Sequence, residues 1–182
     1  MVERLPAAEF ASSVGELAEL LVDAVDDGAS VGFVTPFGHQ EAAAWWRAQA
    51  PAVADGSHLL WACRDGSGIT ATVSLVLTSK PNARHRAEIV KLLVRRDVRG
   101  RGLSRALLAA AERAARAAGV ELLTLDTETG STAERVYLTG GWTRFGIVPG
   151  YACSPDGTPR DCSFFYKRLA SPGEAGAFTG SG

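Results

Sequence analysis

Residues 88 to 108 read "EIVKLLVRRDVRGRGLSRALL": a β-rich run, a turn carrying four arginines and two glycines, and the start of an alanine-rich helix whose first turn adds a fifth arginine. Arginines crowded in this way repel one another, so the pattern predicts a negative partner among them. A strand that ends in a glycine turn and runs into a helix N-terminus makes an anion site, because the first-turn N–H groups have no intrahelical acceptor. Gly100 and Gly102 let the backbone approach a phosphate closely, and arginine adds fixed charge with bidentate geometry. "RGRGLS", Arg99 to Ser104, is therefore read as the cradle of a phosphate or pyrophosphate. It lacks the G-x-x-x-x-G-K-[ST] of a P-loop and matches only the first half of G-x-G-x-x-G. It does satisfy [QR]-x-x-G-x-[GA], except that Ser104 stands at the last small position. The plainer alternative is a basic, solvated turn ahead of a helix.

Working outward, the segment Leu103 to Ala118 places Leu103, Leu107, Ala110, Ala114 and Ala117 on one stripe, with Arg105, Glu112, Arg113 and Arg116 largely off it. "VELLTLDT" after it is an almost continuous apolar run, a strand buried on both faces. Strand, helix and strand within about forty residues make a βαβ unit with a right-handed crossover. Upstream, Val2 to Leu5 suggests a short strand, and "SSVGELAELLVDAVDDGAS" an amphipathic helix capped by Ser12 or Ser13. "SVGFV" suggests an extended piece, and "HQEAAAWWRAQA" a second helix stopped by Pro51. "SHLLWACRD" and "ITATVSLVLTS" form a hairpin pattern, followed by the strand "RAEIVKLLV". Downstream, "TAERVYLTGG" predicts a short helix, and "WTRFGIV" and "CSFFYKRL" two closing strands. The expectation is one domain over residues 1–169 and a disordered glycine-rich tail over 170–182.

A net charge of −1 with 21% charged residues excludes a global field of the kind that marks a nucleic-acid or membrane-surface binder. The arginine cluster also lacks the interleaved aromatics of a nucleic-acid site. Cys63, Cys153 and Cys162 are too few and too scattered for a disulfide framework or a metal site, and they read as packing thiols in a reducing compartment. His39, His58 and His85 show no ligand spacing and read as surface or hydrogen-bonded histidines. With no signal peptide or membrane span in evidence, the sequence predicts a soluble cytoplasmic protein.

The turn motif, the strand and helix around it, the downstream "TAERVYLTGGW" and the closing "FFYKRL" together resemble the GCN5-related N-acetyltransferase (GNAT) family. The resemblance covers most of Val2 to Leu169 and implies an α/β (α+β) fold. Its central sheet is mixed, mostly antiparallel and twisted, with a parallel βαβ cofactor-binding core and flanking helices. Within the family, "LDTETGSTAERVY" and "GYACSPDGTPRDCSFFYKRL" look most like proteins similar to the tabtoxin-resistance acetyltransferase. That implies transfer of an acetyl group from acetyl-CoA to an amine of a small molecule, an antibiotic or toxin among the options. The alternatives are acetylation of a protein N-terminus or lysine, and a non-catalytic module that binds acyl-CoA or sequesters a toxin. Monomer and homodimer both stay open. Gly130 departs from the asparagine that many members carry at that position.

Acetyl transfer to an amine needs a base for the amine proton, a donor to the developing oxyanion and an acid for the departing thiolate. By the resemblance, Glu88 and Asp126 take the proton and attract the substrate ammonium, and Tyr137 is the acid. The separation of Glu88 from Arg95 along an extended strand, about 20 Å, suits a pantetheine arm running from phosphates at the turn. The resemblance also places a bulge and an oxyanion donor in the strand Lys91 to Val94. Leu92, Leu93, Val94, Arg99, Gly100, Arg101, Gly102, Leu103 and Ser104 are the expected acetyl-CoA contacts. Trp45, Trp46 and Tyr151 are candidates for the acceptor pocket, one tryptophan walling it and the other packing in the core.

Overall fold

The computed structural model describes residues 1–169; the predicted tail, residues 170–182, lies outside them. Along the chain run β1 (Val2–Leu5), α1 (Ala7–Asp26), α2 (His39–Ala48), α3 (Ala50–Ala54), β2 (His58–Asp65), β3 (Gly68–Leu77), β4 (Arg86–Val94), α4 (Leu103–Ala117), β5 (Leu122–Glu128), α5 (Thr132–Thr139), β6 (Thr143–Cys153) and β7 (Pro159–Arg168). The strands form a single sheet in the order β1-β2-β3-β4-β5-β7-β6. Every neighbouring pair is antiparallel except β4 and β5, which α4 connects as a parallel crossover. This is the mixed, mostly antiparallel α/β architecture that the sequence predicts.

Alternation along the strands sends side chains to two apolar layers. On one face, Val73, Leu75, Ile89, Leu123 and Phe165 pack with Leu107 and Ala111 of α4 and with Tyr137 of α5. On the other, Leu60 and Leu93 meet Leu17 and Leu21 of α1 and Trp46 of α2. The first layer takes up most of the predicted stripe of α4, with Leu107 and Ala110 buried and Leu103 and Ala114 partly so, and widens it on one side while Ala117 stays exposed. Leu107, Leu108, Ala111 and Ala115 are buried, and so is Glu112, whose carboxylate accepts from Lys167 Nζ at 2.7 Å.

Three local expectations change. α1 starts directly after Pro6, so Ser12 and Ser13 lie inside it and donate their hydroxyls to Glu9 O instead of capping. Pro51 does not end a helix: it sits in the first turn of α3, where its missing N–H has no intrahelical use. "SVGFV" forms no strand and lies in the loop between α1 and α2.

Phe165 is fully buried between Tyr137 and the sheet, so Phe165→Ala is expected to cost about 3–5 kcal/mol, seen as a lower midpoint in urea unfolding.

Candidate active site

The parallel pairing of β4 with β5 covers only Arg86 to Glu88 against Leu122 to Thr124, although β4 continues to Val94. On its other side β4 carries a bulge: Thr72 pairs with Leu93 and Ser74 with Val90, so Val73 faces both Lys91 and Leu92. Lys91 has φ 51°, and among the described residues it alone is a non-glycine residue in the left-handed region. Such a backbone costs roughly 1–2 kcal/mol, which the surrounding pairing has to hold in place. The bulge bends β4 away from β5 and opens a notch along whose edge Leu92, Leu93 and Val94 have no ladder partner on β5. It also resets the alternation, so that Leu92 and Val94 face the α4 layer and Leu93 the α1 layer.

At the wide end of the notch lies the arginine turn, and most of its charge is answered from within the protein. Arg95 pairs with Asp97 and Asp65, Arg96 with Asp23, and Arg99 with Asp27 while also donating to Val94 O. Arg99 therefore turns its guanidinium toward α1. Arg101 makes one long bond, 3.4 Å to Asp97 O, and Arg105 one of 3.5 Å to Thr139 Oγ1. Gly100 and Gly102 have φ 78° and 77°, with open space where a Cβ would stand. The first intrahelical bond of α4 is Ala106 N to Gly102 O, which leaves the N–H groups of Leu103, Ser104 and Arg105 without helical acceptors. An open glycine turn, a 15-residue helix N-terminus and an arginine with no carboxylate partner among the described residues fit a diphosphate.

At the narrow end, Glu88 and Asp126 lie exposed on the α1 side of the sheet, Glu88 opposite Thr124 and Asp126 two residues beyond it on β5. Though both side chains reach solvent, partial desolvation by the surrounding protein raises both carboxyls above their usual range, and for Glu88 the charge of Asp126 adds to the rise. Lys91 sends its side chain to the same side. Nζ donates to Val31 O at 2.9 Å and stands 4.8 Å from the centre of the Trp45 ring and 5.4 Å from that of Phe33. Burial lowers its pKa, against the opposing charges of Asp126 and Glu88. Tyr137 belongs to the opposite layer, held between Trp142 and Phe165. Its phenol is pushed well up by burial and then by Asp126. The negative charge of Asp126 thus reaches Glu88, Lys91 and Tyr137 at once.

The aromatic candidates separate. Trp45 borders this space, whereas Trp46 is fully buried, with Nε1 donating to Leu17 O at 3.0 Å, and belongs to the core. Tyr151 lies exposed on β6 against Phe164. His58 differs from its expected surface or hydrogen-bonded state: it is buried, Nε2 has no partner, and burial together with Lys91 keeps its pKa low. Gly130, with φ 82°, donates its N–H to Glu134 in the turn before α5, a backbone that asparagine would enter less readily. Sequence reasoning missed Lys91 and Phe33; a lone lysine in the apolar run "EIVKLLV" was the available signal.

Residues 12–139 match the model of the acetyltransferase (GNAT) family. The fold is similar to that of a ribosomal-protein-alanine N-acetyltransferase from Brucella melitensis (TM-score 0.74, 20% identity, covering 93% of this chain and 99% of the other). It is also similar to yncA, a putative acetyltransferase from Salmonella typhimurium with its cofactor acetyl-CoA (0.73, 20%, 94% and 94%). A third is a phosphinothricin acetyltransferase from Sinorhizobium meliloti in complex with AcCoA (0.76, 16%, 93% and 88%).

The division of the arginines sets an expectation. Arg101→Ala weakens acetyl-CoA binding on the order of 10-fold in calorimetric titration, as loss of a charge-assisted phosphate contact implies. Arg99→Ala acts mainly on thermal stability, by no more than about 1 kcal/mol for a partly exposed pair.

Proposed function

Because the chain belongs to the GNAT acetyltransferase family, whose enzymes take the acetyl group from acetyl-CoA, we propose that it acetylates an amine of a small molecule. The observation that carries this reading is the tethering of the α1–α2 loop, which fixes a wall on the acid side of the notch. The α1–α2 loop is tied to the β6–β7 turn through Thr35 N and Oγ1 to Pro155 O, at 2.8 and 2.9 Å, and through Ser30 Oγ to Cys153 O at 3.2 Å. The same loop is fastened to β4 by Lys91. A loop wall held at both the β6–β7 turn and β4 suits a compact acceptor better than an extended peptide. An amine-bearing toxin or antibiotic is the class implied by the sequence resemblance to the tabtoxin-resistance acetyltransferase. A purely binding role would leave the gathering of Glu88, Asp126 and Tyr137 around one site without use.

In this reading Leu103, Ser104 and Arg105 offer backbone N–H groups, with Arg101, to the diphosphate, and the unpaired edge from Leu92 to Val94 offers backbone donors to the pantetheine arm and the thioester oxygen. Glu88 and Asp126 draw in the ammonium and accept its proton. A carboxylate with a raised pKa is the stronger base, but only above that pKa. Tyr137, which burial keeps protonated, hydrogen-bonds to the leaving sulfur and passes it the phenolic proton, which the proton taken up by Glu88 or Asp126 then restores through solvent.

Coenzyme A thiol release measured against small primary amines and N-terminal peptides tests the reading; turnover confined to peptides refutes it. For wild type, kcat/KM should fall as pH drops through a limb above the ordinary carboxylate range. Glu88→Gln should remove most of that limb and lower kcat about 100-fold or more. Tyr137→Phe should lower kcat with acetyl-CoA affinity nearly unchanged, and wild-type rates across the pH range would remove Tyr137 from the acid role.

The same shifts carry a sign for stability. A carboxyl whose pKa is raised by folding favours the fold below its unfolded pKa and loses that contribution as pH rises through the folded value. Glu88→Gln and Asp126→Asn should therefore unfold at higher temperature than wild type at neutral pH and lose the advantage in acid.

A further inference from the structure

The chain has three lysines, and their surroundings differ in kind. Lys80 is exposed on the β3–β4 connection. Lys167 is fixed by Glu112 at 2.7 Å and Gly140 O at 2.9 Å. Lys91 sits on the bulge itself, where β4 has parted from β5, and its side chain turns to the side of the notch that holds both carboxylates. Among the described residues no carboxylate pairs with its amine, which is held by one carbonyl and two aromatic rings. Burial in that setting favours the uncharged amine, the nucleophilic form. An amine with proton acceptors beside it, at the edge that would carry a thioester, has what an acceptor needs.

We propose that Lys91 is an acetylation site of this enzyme on itself, acetylated from bound acetyl-CoA when no acceptor amine fills the pocket. The inference rests on the acetyl-transfer reading of the notch. After Nζ releases its bond to Val31 O, its lone pair forms the C–N bond to the acetyl carbonyl carbon as the C–S bond breaks. The amine proton passes to Glu88 or Asp126, and the departing thiolate takes up a proton to become coenzyme A thiol. The product is a neutral amide. It keeps an N–H for Val31 O but no longer supplies the cation over Trp45 and Phe33, or the positive charge that lowers the pKa values of Glu88 and Asp126. Acetylation would thus loosen the tie between β4 and the α1–α2 loop and raise both carboxyls further, making the modified enzyme a different catalyst from the unmodified one.

The test is intact-mass and peptide-mapping mass spectrometry of the full chain incubated with acetyl-CoA in an amine-free buffer. The expected result is one acetyl group per chain on Lys91, appearing with a first-order rate independent of protein concentration. Labelling should be at least about 10-fold slower in Glu88→Gln, as loss of a proton acceptor implies. No label on Lys91, equal labelling of exposed Lys80, or a rate that rises with protein concentration would overturn the proposal. Thiol release with small amines but an unmodified Lys91 defeats this inference and leaves the proposed function standing. Labelled Lys91 without turnover of any small amine does the reverse.

Discussion

The early end of one parallel ladder governs the molecule. β4 and β5 share three residue pairs and then separate, because an extra residue on β4 bends it away while β3 holds its other edge. A parallel pair is normally buried on both faces and fully hydrogen-bonded. Here the sheet gives up several of those bonds in its own centre, and the unpaired backbone becomes the surface that a cofactor's extended arm is able to pair with. The strain is placed on Lys91, at φ 51°, and not on a glycine, which ties the backbone distortion to a side chain with chemistry of its own.

Electrostatics around the turn follow from helix ends. α1 finishes with Asp23, Asp26 and Asp27, acids at the negative end of a helix dipole and so unfavourably placed. Arg96 and Arg99 lie against Asp23 and Asp27 and offset that cost. Each exposed pair is worth little by itself. Their combined effect is to fix the direction from which α4 begins and to leave the first-turn N–H groups and Arg101 as the open positive elements. Much of the negative partner that the arginine crowding predicts is therefore the protein's own first helix.

Elements that depend on local periodicity were legible in the sequence: the strands "RAEIVKLLV" and "LLTLDTE", the long helix between them and the short helix of Tyr137 all lie where apolar spacing puts them. Features decided by distant partners were not. Nothing in "KLLV" marks a bulge, because any residue type is accepted there if neighbouring strands hold it. The two tryptophans could not be assigned individually, since only the seating of α2 on α1 decides that Trp46 goes inward and Trp45 toward Lys91. The loop "SVGFV" has β propensity, but Val31 and Phe33 are used in holding the lysine, and no strand edge is offered to them.

The notch also brings groups from opposite faces of a sheet toward one place. Glu88 lies on the α1 side of the sheet, whereas Tyr137 is embedded in the layer under α4 with Trp142 and Phe165. In a continuous sheet two such residues would be separated by backbone. Where β4 and β5 part, that wall is missing, and the charge of Asp126 reaches Glu88 and Tyr137. In the proposed reaction, a base on one face and an acid on the other would then address the two sides of a bond lying between the strands. Desolvation raises the pKa on both faces, strengthening the carboxylates as bases and keeping the phenol protonated while making it a weaker acid.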